Sequence, residues 1–337
     1  MTILPLAGGA AAWQGRQVSA QTTETQAVRD QKKGAPVRRA GLAAWICLLI
    51  VYVVWGSTYL AIRVGVETMP PLLMAAARSL VAGVIMFPLG LRRRRSAPLE
   101  PRWPSRQQWR ACATAGVLLL VGQGVVGVAE RTIPSGLAAL LIATVPLWLL
   151  GLDAGLNRAR LGWAQLAGLL VGLAGVALLS SLGGGAGQVS VSGLLIVVGA
   201  AGMWALGTMT ARRGAFPSSP VLATGMELLA GGAVLLVLAA ATGEFGSLHP
   251  GHVSGRSWLA LGYLIVIGSI VAFSAYGIAV RSLPTPTVAT YAYVNPVIAV
   301  LLGALILGER LTPAMIGGGV LVVGAVVLVV RRSPPAH

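Results

Sequence analysis

Four ionisable side chains stand out within or at the border of long apolar stretches of this sequence. They are Arg63, Arg78, Glu130 and Glu227. An ionisable group costs several kcal/mol in hydrocarbon, so inside a membrane it usually contacts a substrate or an ion, or relays a proton. These four residues are therefore the first candidates for chemistry in this chain.

Arg78 and Glu227 place opposite charges at comparable depths. Each lies seven residues after the proline that begins its apolar stretch, about 10 Å along a helix. The depth is counted from the outer side for Arg78 and from the inner side for Glu227. A cation and an anion at opposite ends of one cavity would contact a zwitterionic substrate in turn. Alternatively, each side chain pairs locally or satisfies the ends of broken helices. Because burial disfavours a charged carboxylate, Glu227 is also the proton-coupling candidate.

Glu130 and Arg63 each have a polar or charged residue at helical spacing. Gln123 and Glu130 are seven residues apart and share a helix face. We expect Glu130 to stay ionised beside Arg131 and water and to bind a substrate amine, with simple solvent exposure as the alternative. Arg63 and Glu67 are four residues apart, so we expect a local pair, or a side chain that extends to the interface.

Polar and aromatic residues add candidates for lining a cavity. Thr287, Tyr291 and Asn295 form a stripe along one helix face. The stripe predicts either cavity lining or interhelical hydrogen bonds, and the proline after Asn295 should disturb the local backbone. Trp55 and Trp204 lie far from interface positions, which predicts packing near a central axis. Stacking on a substrate would be a second role for them.

The composition shows what kind of structure must position these residues. Of the 337 residues, 56% are hydrophobic and only 10% are charged, whereas soluble domains carry about 25% charged residues. Apolar runs of about 20 residues match the ~30 Å hydrocarbon layer. The pattern predicts an all-α membrane protein with ten transmembrane helices near residues 42–64, 71–91, 110–130, 134–153, 161–182, 193–211, 220–242, 258–280, 285–308 and 312–330.

The basic residues predict the orientation of these ten helices. Twenty of the 25 Lys and Arg residues fall in the termini and in alternate loops, and three fall in the opposite loops. This asymmetry predicts that both termini are cytoplasmic. It also accounts for the net charge of +16 without nucleic-acid binding.

The two halves of the chain resemble each other at an offset of 149–150 residues. Matched pairs include Trp55 with Trp204, Arg78 with Glu227, Gly83 with Gly232, and Pro146 with Pro296. Five spans per half would make the halves two inverted repeats, an architecture that suits alternating access. We predict a disordered cytoplasmic tail over 1–40, repeats over 41–182 and 183–332, and a short cytoplasmic C-terminus over 333–337.

Enzyme chemistry finds little support in the sequence. The three histidines, His249, His252 and His337, lie outside the spans, and Cys47 and Cys112 are isolated. No zinc-protease, phosphate-loop or serine-hydrolase motif occurs. We therefore expect no catalytic residue, no metal and no cofactor, and transport driven by a proton or substrate gradient. A membrane-embedded enzyme and a passive channel are the alternatives.

Several local motifs resemble the EamA branch of the drug/metabolite transporter superfamily. They are Trp55–Arg63 followed by Pro70, Pro71 and Arg78, and then Val128–Gly136, Ala143–Pro146, Met226–Gly231 and Tyr291–Pro296. The resemblance implies an inner-membrane exporter of drugs, amino acids or metabolites, with a cavity lined by the first, third, fourth, sixth, eighth and ninth spans. It implies a small-molecule substrate and contact with membrane lipid. A homodimer is left open.

The charge asymmetry leads to a test of topology. Reporter fusions placed after Arg95 and after Gly246 should report opposite sides of the membrane, because an odd number of predicted spans separates the two positions. Paired alkaline phosphatase and fluorescent-protein fusions measure the location. The same location for both fusions would contradict the ten-span topology.

Overall fold

The computed structural model describes residues 41–94, 103–157, 162–181, 190–283, 285–288 and 290–332. All regular structure in these ranges is helical. The predicted tail over 1–40 and the C-terminal residues 333–337 lie outside the described residues.

The first half contains six helices: α1 (Leu42–Gly65), α2 (Pro71–Arg94), α3 (Arg106–Ala129), α4 (Ser135–Ile142), α5 (Val145–Asn157) and α6 (Trp163–Ser181). The second half contains α7 (Val191–Arg213), α8 (Pro220–Ala241), the short α9 (Glu244–Ser247), a 3₁₀ turn (Pro250–His252), α10 (Gly255–Tyr263), a π-helix (Leu264–Val271), α11 (Ala272–Ser282), the short α12 (Thr285–Val288), α13 (Tyr291–Leu307) and α14 (Pro313–Arg332).

Seven of the described helical segments are long and apolar enough to cross a membrane. Three shorter apolar helices lie over 166–175, 294–307 and 313–325. Together these ten segments coincide with the ten predicted spans. The prediction of a helical membrane protein is therefore confirmed.

The fourth and ninth predicted spans are not continuous helices. The fourth is interrupted between α4 and α5, and the ninth between α12 and α13. The helix tolerates Pro146 because this residue lies in the first turn of α5, where a backbone N–H would have no helical partner. Pro296 lies inside α13, so the disturbed backbone precedes it by about two turns, earlier than expected. Broken helices at repeat-related positions are typical of transporter folds.

The two halves meet along a tight crossing of α2 and α8. A Cβ added at Gly83 would lie 3.0 Å from the backbone nitrogen of Leu229, and one added at Gly232 would lie 3.1 Å from that of Leu80. Both residue pairs follow the offset of 149, so the two contacts are related by an approximate two-fold axis. The internal repeat is therefore visible in the packing as well as in the sequence.

A second seam between the halves follows the same rule. On α6, a Cβ at Gly175 would lie 2.9 Å from Val322 of α14, and a Cβ at Gly172 would lie 3.4 Å from Ala325. These pairs are exchanged by an offset of 150. Small residues at both seams let the helix backbones approach, which is how helices associate in lipid without a hydrophobic driving force between them.

A close backbone approach at the α2–α8 crossing leads to a prediction about stability. Gly90→Ala should destabilise the protein by roughly 1–3 kcal/mol, because the new Cβ would lie 2.5 Å from the backbone nitrogen and Cα of Leu222. The thermal midpoint of the detergent-solubilised protein measures the effect.

The matched control for this variant is Gly199→Ala. Gly199 is an exposed residue within α7, and nothing lies within 4 Å of an added Cβ. Alanine there should leave the midpoint unchanged or raise it, because alanine favours helix over glycine by about 1 kcal/mol. Equal midpoints for the two variants would show that the α2–α8 crossing accommodates an added methyl group without loss of stability.

Candidate functional site

One end of the bundle carries four of the nine acidic residues, Glu67, Glu130, Glu244 and Glu309, and we call it the acidic end. Its loops contact each other. The hydroxyl of Thr68 donates to Ser257 over 2.8 Å, and Nη2 of Arg131 donates to the carbonyl of Met69 over 3.4 Å.

Arg78 lies inside the bundle, on α2, with 4% of its surface exposed. Its Nε donates to Oγ of Ser269, on the π-helix of the other half, over 3.0 Å. Gly268 makes room for the guanidinium, since a Cβ there would lie 3.4 Å from Nη2. Within the described residues no carboxylate lies close to this cation. Arg78 is thus a buried positive charge without a counter-charge from the described part of the protein.

Arg78 shares a narrow cleft with Gln123. The cleft is lined by Ile62, Pro71, Met74, Ala75, Arg78, Gln123, Gly124, Gly127 and Leu264. Its walls therefore come from the first, second, third and eighth spans. The second span was missing from the predicted set, and the fourth, sixth and ninth spans do not line this cleft. Arg78 and Gln123 are brought together as two of the predicted substrate-binding residues.

An aromatic cluster surrounds Trp55 of α1 near this cleft. The ring of Trp55 lies 5.1 Å from that of Tyr276, 5.2 Å from that of Tyr291 and 5.3 Å from that of Phe273, centre to centre. The packing of Trp55 on residues of the other half agrees with its predicted position. Thr58 lies between the cluster and the cleft. Its hydroxyl donates to the carbonyl of Trp55 over 2.6 Å, and its methyl group lies beside Gly268.

Asn295 is buried between α13 and α1. Its amide nitrogen is placed to donate to the carbonyls of Tyr52 and Tyr291, each at 3.2 Å. The side chain of Tyr52 in turn bonds the hydroxyl of Thr290. Tyr291 and Asn295 of the polar stripe therefore face α1, and Asn295 makes the interhelical hydrogen bond that was the alternative to cavity lining. A role for Asn295 in binding stays a prediction.

Trp204 does not join the aromatic cluster. It lies half-buried on α7, where its backbone packs near Gly122 of α3, and its carbonyl accepts a bond from the hydroxyl of Thr208 over 2.9 Å. The repeat relates it to Trp55, yet the two tryptophans have different neighbours. Its predicted contact with substrate is not tested by this arrangement.

Glu227 lies on α8 where α3 crosses it. Its Cα packs against Gly116, where an added Cβ would lie 2.6 Å away. The thiol of Cys112 is close enough for an electrostatic interaction with the Glu227 carboxylate. Arg78 packs on the third span of the second half, and Glu227 packs on the third span of the first half. The two predicted charges therefore occupy pseudo-symmetric places on different faces of the bundle.

Glu130 is buried, contrary to the expectation of solvent exposure. It is the first residue after α3, its exposed fraction is 0%, and neither carboxylate oxygen has a hydrogen-bond partner among the described residues. Neighbours from the second half and from α1 exclude water. Arg63 donates to the backbone carbonyl of Glu130, so its expected pair with the exposed Glu67 does not form.

Two glutamates that the sequence reasoning missed cap helices across the halves. Glu309 accepts from the amide and hydroxyl of Ser135 at 2.8 Å and from the amide of Gly136 at 3.1 Å. Glu244 accepts from the amides of Leu72 and Leu73. Both carboxylates sit where a helix N-terminus favours negative charge. The position of Glu309, next to the helix-ending Gly308, was the available signal.

Comparison with known proteins agrees with this architecture. The model of the EamA-like transporter family matches residues 42–181 and 191–331. The inner membrane transporter YedA of Escherichia coli is 40% identical over 268 residues, which cover 79% of this chain and 83% of YedA. A Streptantibioticus cattleyicolor protein named as a terminal-alkyne amino-acid exporter is 30% identical, covering 86% of this chain and 94% of its own.

Two further comparisons extend the agreement. A Salmonella typhimurium protein named as an amino-acid metabolite efflux pump is 26% identical over 81% of this chain and 90% of its own. A solved crystal structure superposes with a TM-score of 0.57 at 25% identity, covering 85% of this chain and 95% of its own. The chain belongs to the EamA-like transporter family.

Proposed function

We propose that this protein exports small carboxylate-bearing metabolites, amino acids in particular, across the inner membrane by alternating access. In this proposal the repeats occupy 41–182 and 183–332, and both termini and the tail are cytoplasmic. The positive-inside asymmetry supports this orientation. The acidic end then faces outwards.

The uncompensated charge of Arg78 is the observation that carries the proposal. A buried guanidinium without a carboxylate partner is costly unless another anion completes the site. Its planar fork suits a carboxylate, which it can bind through two parallel hydrogen bonds. A substrate carboxylate would supply the missing counter-charge, and Gln123 would offer further hydrogen bonds beside it.

The names of the relatives support the substrate class. The Streptantibioticus and Salmonella proteins are named for amino-acid export and amino-acid metabolite efflux. Amino acids carry the carboxylate that Arg78 would bind, and the rings around Trp55 offer an apolar surface near the cleft for a side chain. We propose the same class for this chain.

Counterflow distinguishes this function from the two alternatives. A carrier reconstituted in proteoliposomes should exchange labelled for unlabelled substrate with saturation, because each turnover needs a bound molecule. A passive channel would show no counterflow, and an enzyme would return a chemically altered substrate. Leucine, phenylalanine and threonine, with their decarboxylated amines as controls, form a suitable first panel.

The proposed role of Arg78 predicts the effect of replacing it. Arg78→Gln should lower apparent substrate affinity by roughly 10–100-fold, since a charge-assisted bond contributes about 1.5–3 kcal/mol. Arg78→Lys should keep part of the affinity, because it retains the charge and loses the fork. Concentration-dependent counterflow gives both values. Arg256→Gln is the control, since Arg256 is an exposed cation at the acidic end.

If Arg78→Gln transports amino acids with unchanged affinity, the carboxylate site lies elsewhere. Decarboxylated amines should not respond to the variant. A loss that affects amines and amino acids equally would indicate damage to the fold.

We also propose Glu227 as a proton carrier for this transport. Its place against α3, on a helix that contains no other ionisable residue, supports the proposal. Glu227→Gln keeps shape and cannot titrate, so it should abolish pH-driven accumulation and retain substrate exchange. Both are measured in proteoliposomes with and without a pH gradient. Unchanged pH-driven transport would rule out the proton role, and failure of the variant to fold would favour a structural one.

A further inference from the structure

The acidic end contains two carboxylates with opposite environments. Glu309 has three hydrogen-bond donors from the N-terminus of α4. Glu130, five residues before α4 begins, has no partner for either oxygen in the described part of the chain and is fully buried. A buried carboxylate without donors carries the full penalty of desolvation when it is charged.

The charged and titratable groups that face Glu130 come from few elements. Tyr59 and Arg63 lie on α1, Glu309 lies on the α13–α14 loop, and Arg131 is the next residue along the chain. The parts of α4 and α7 nearest to it, over 135–142 and 191–199, contain no titratable residue.

These neighbours do not neutralise the Glu130 carboxyl group. The Arg63 guanidinium binds the backbone carbonyl of Glu130 instead of its side chain, and Arg131 is directed to Met69. Burial, followed by the Glu309 carboxylate, raises the pKa of Glu130 well above the ordinary range, and Arg63 opposes this shift. Two carboxylates near each other in a water-poor site do not both ionise readily.

We propose that Glu130 is a proton-binding site of a gate at the acidic end. Its carboxyl group is neutral while Glu309 caps α4 and the gate is closed, and it ionises when the cap is released and water enters. The proposal rests on the alternating access of the proposed function. It adds that the acidic end is the closed end and that protonated Glu130 keeps it closed.

The closing of the gate is then linked to pH. At a pH low enough to protonate a hydrated glutamate, proton binding does not distinguish the two states. Above that pH, only the closed state keeps the proton, so opening becomes more favourable by up to about tenfold per pH unit until Glu130 ionises in the closed state too. Acid therefore favours the closed gate, and rising pH opens it.

Hydrogen–deuterium exchange of the whole protein in nanodiscs tests this gate without substrate. The reporters are the amides of Ser135 and Gly136, which are bonded to Glu309 in the closed state. Exchange is measured at pH 5.5, 6.5 and 7.5. The peptide over 216–224 corrects for the intrinsic effect of pH, because its helix is capped by its own Ser219.

In the wild-type protein, the corrected exchange rate of these amides should rise by up to about tenfold for each unit of increase in pH. Glu130→Gln mimics the neutral acid and should keep them protected at every pH. Glu67→Gln, the control at an exposed glutamate of the same end, should behave as wild type. Glu309→Gln weakens the cap and should raise exchange at every pH, with a shallower dependence.

A wild-type protein whose α4 amides show no corrected pH dependence would overturn the proposal, as would Glu130→Gln with the wild-type dependence. If Glu130→Gln does not fold, unchanged exchange in Glu309→Gln would overturn it independently. Absence of counterflow together with the expected exchange pattern would overturn the proposed export and leave the proton-sensitive closure standing.

Discussion

The architecture depends on the close crossing of α2 and α8. Helices in lipid gain no hydrophobic free energy by associating, so their contact must come from packing of small residues at short distance. Gly83 and Gly232 supply this contact at positions exchanged by the internal two-fold relation. The crossing directs Arg78 towards the π-helix and Glu227 towards α3. A bulkier residue at the seam would separate the halves and the two charges with them.

Four charged side chains fall into two groups by the way their charge is compensated. Glu244 and Glu309 accept hydrogen bonds from helix N-termini of the other half, and their charge stabilises the contact they make. Glu130 and the guanidinium of Arg78 receive little or no compensation from the described residues. Because a fixed fold gains nothing from an unsatisfied buried charge, the second group is where exchange with a substrate or a proton is expected.

Two spans with irregular backbone make contacts to these charges. The π-helix that carries Ser269 and the interruption between α4 and α5 both lie in spans with irregular backbone. Such segments are tolerated at membrane depth only where protein or a cavity covers them. The π-helix holds the partner of Arg78. The span that is interrupted after α4 begins at the cap made by Glu309. Both spans with irregular backbone therefore exchange polar contacts with the other half.

The sequence by itself determined the ten spans and the repeat, because hydropathy depends on composition within each segment and the offset is visible along the chain. It also singled out Arg78 and Gln123 as substrate-binding candidates. Only the tertiary structure decided that Glu130 is buried, that Asn295 bonds Tyr52, and that Trp55 and Trp204 have different neighbours. These features are made by contacts between residues far apart in the chain, mostly across the two halves. Helical periodicity indicates a face, and the helix packed against that face determines whether it meets water, lipid or another side chain.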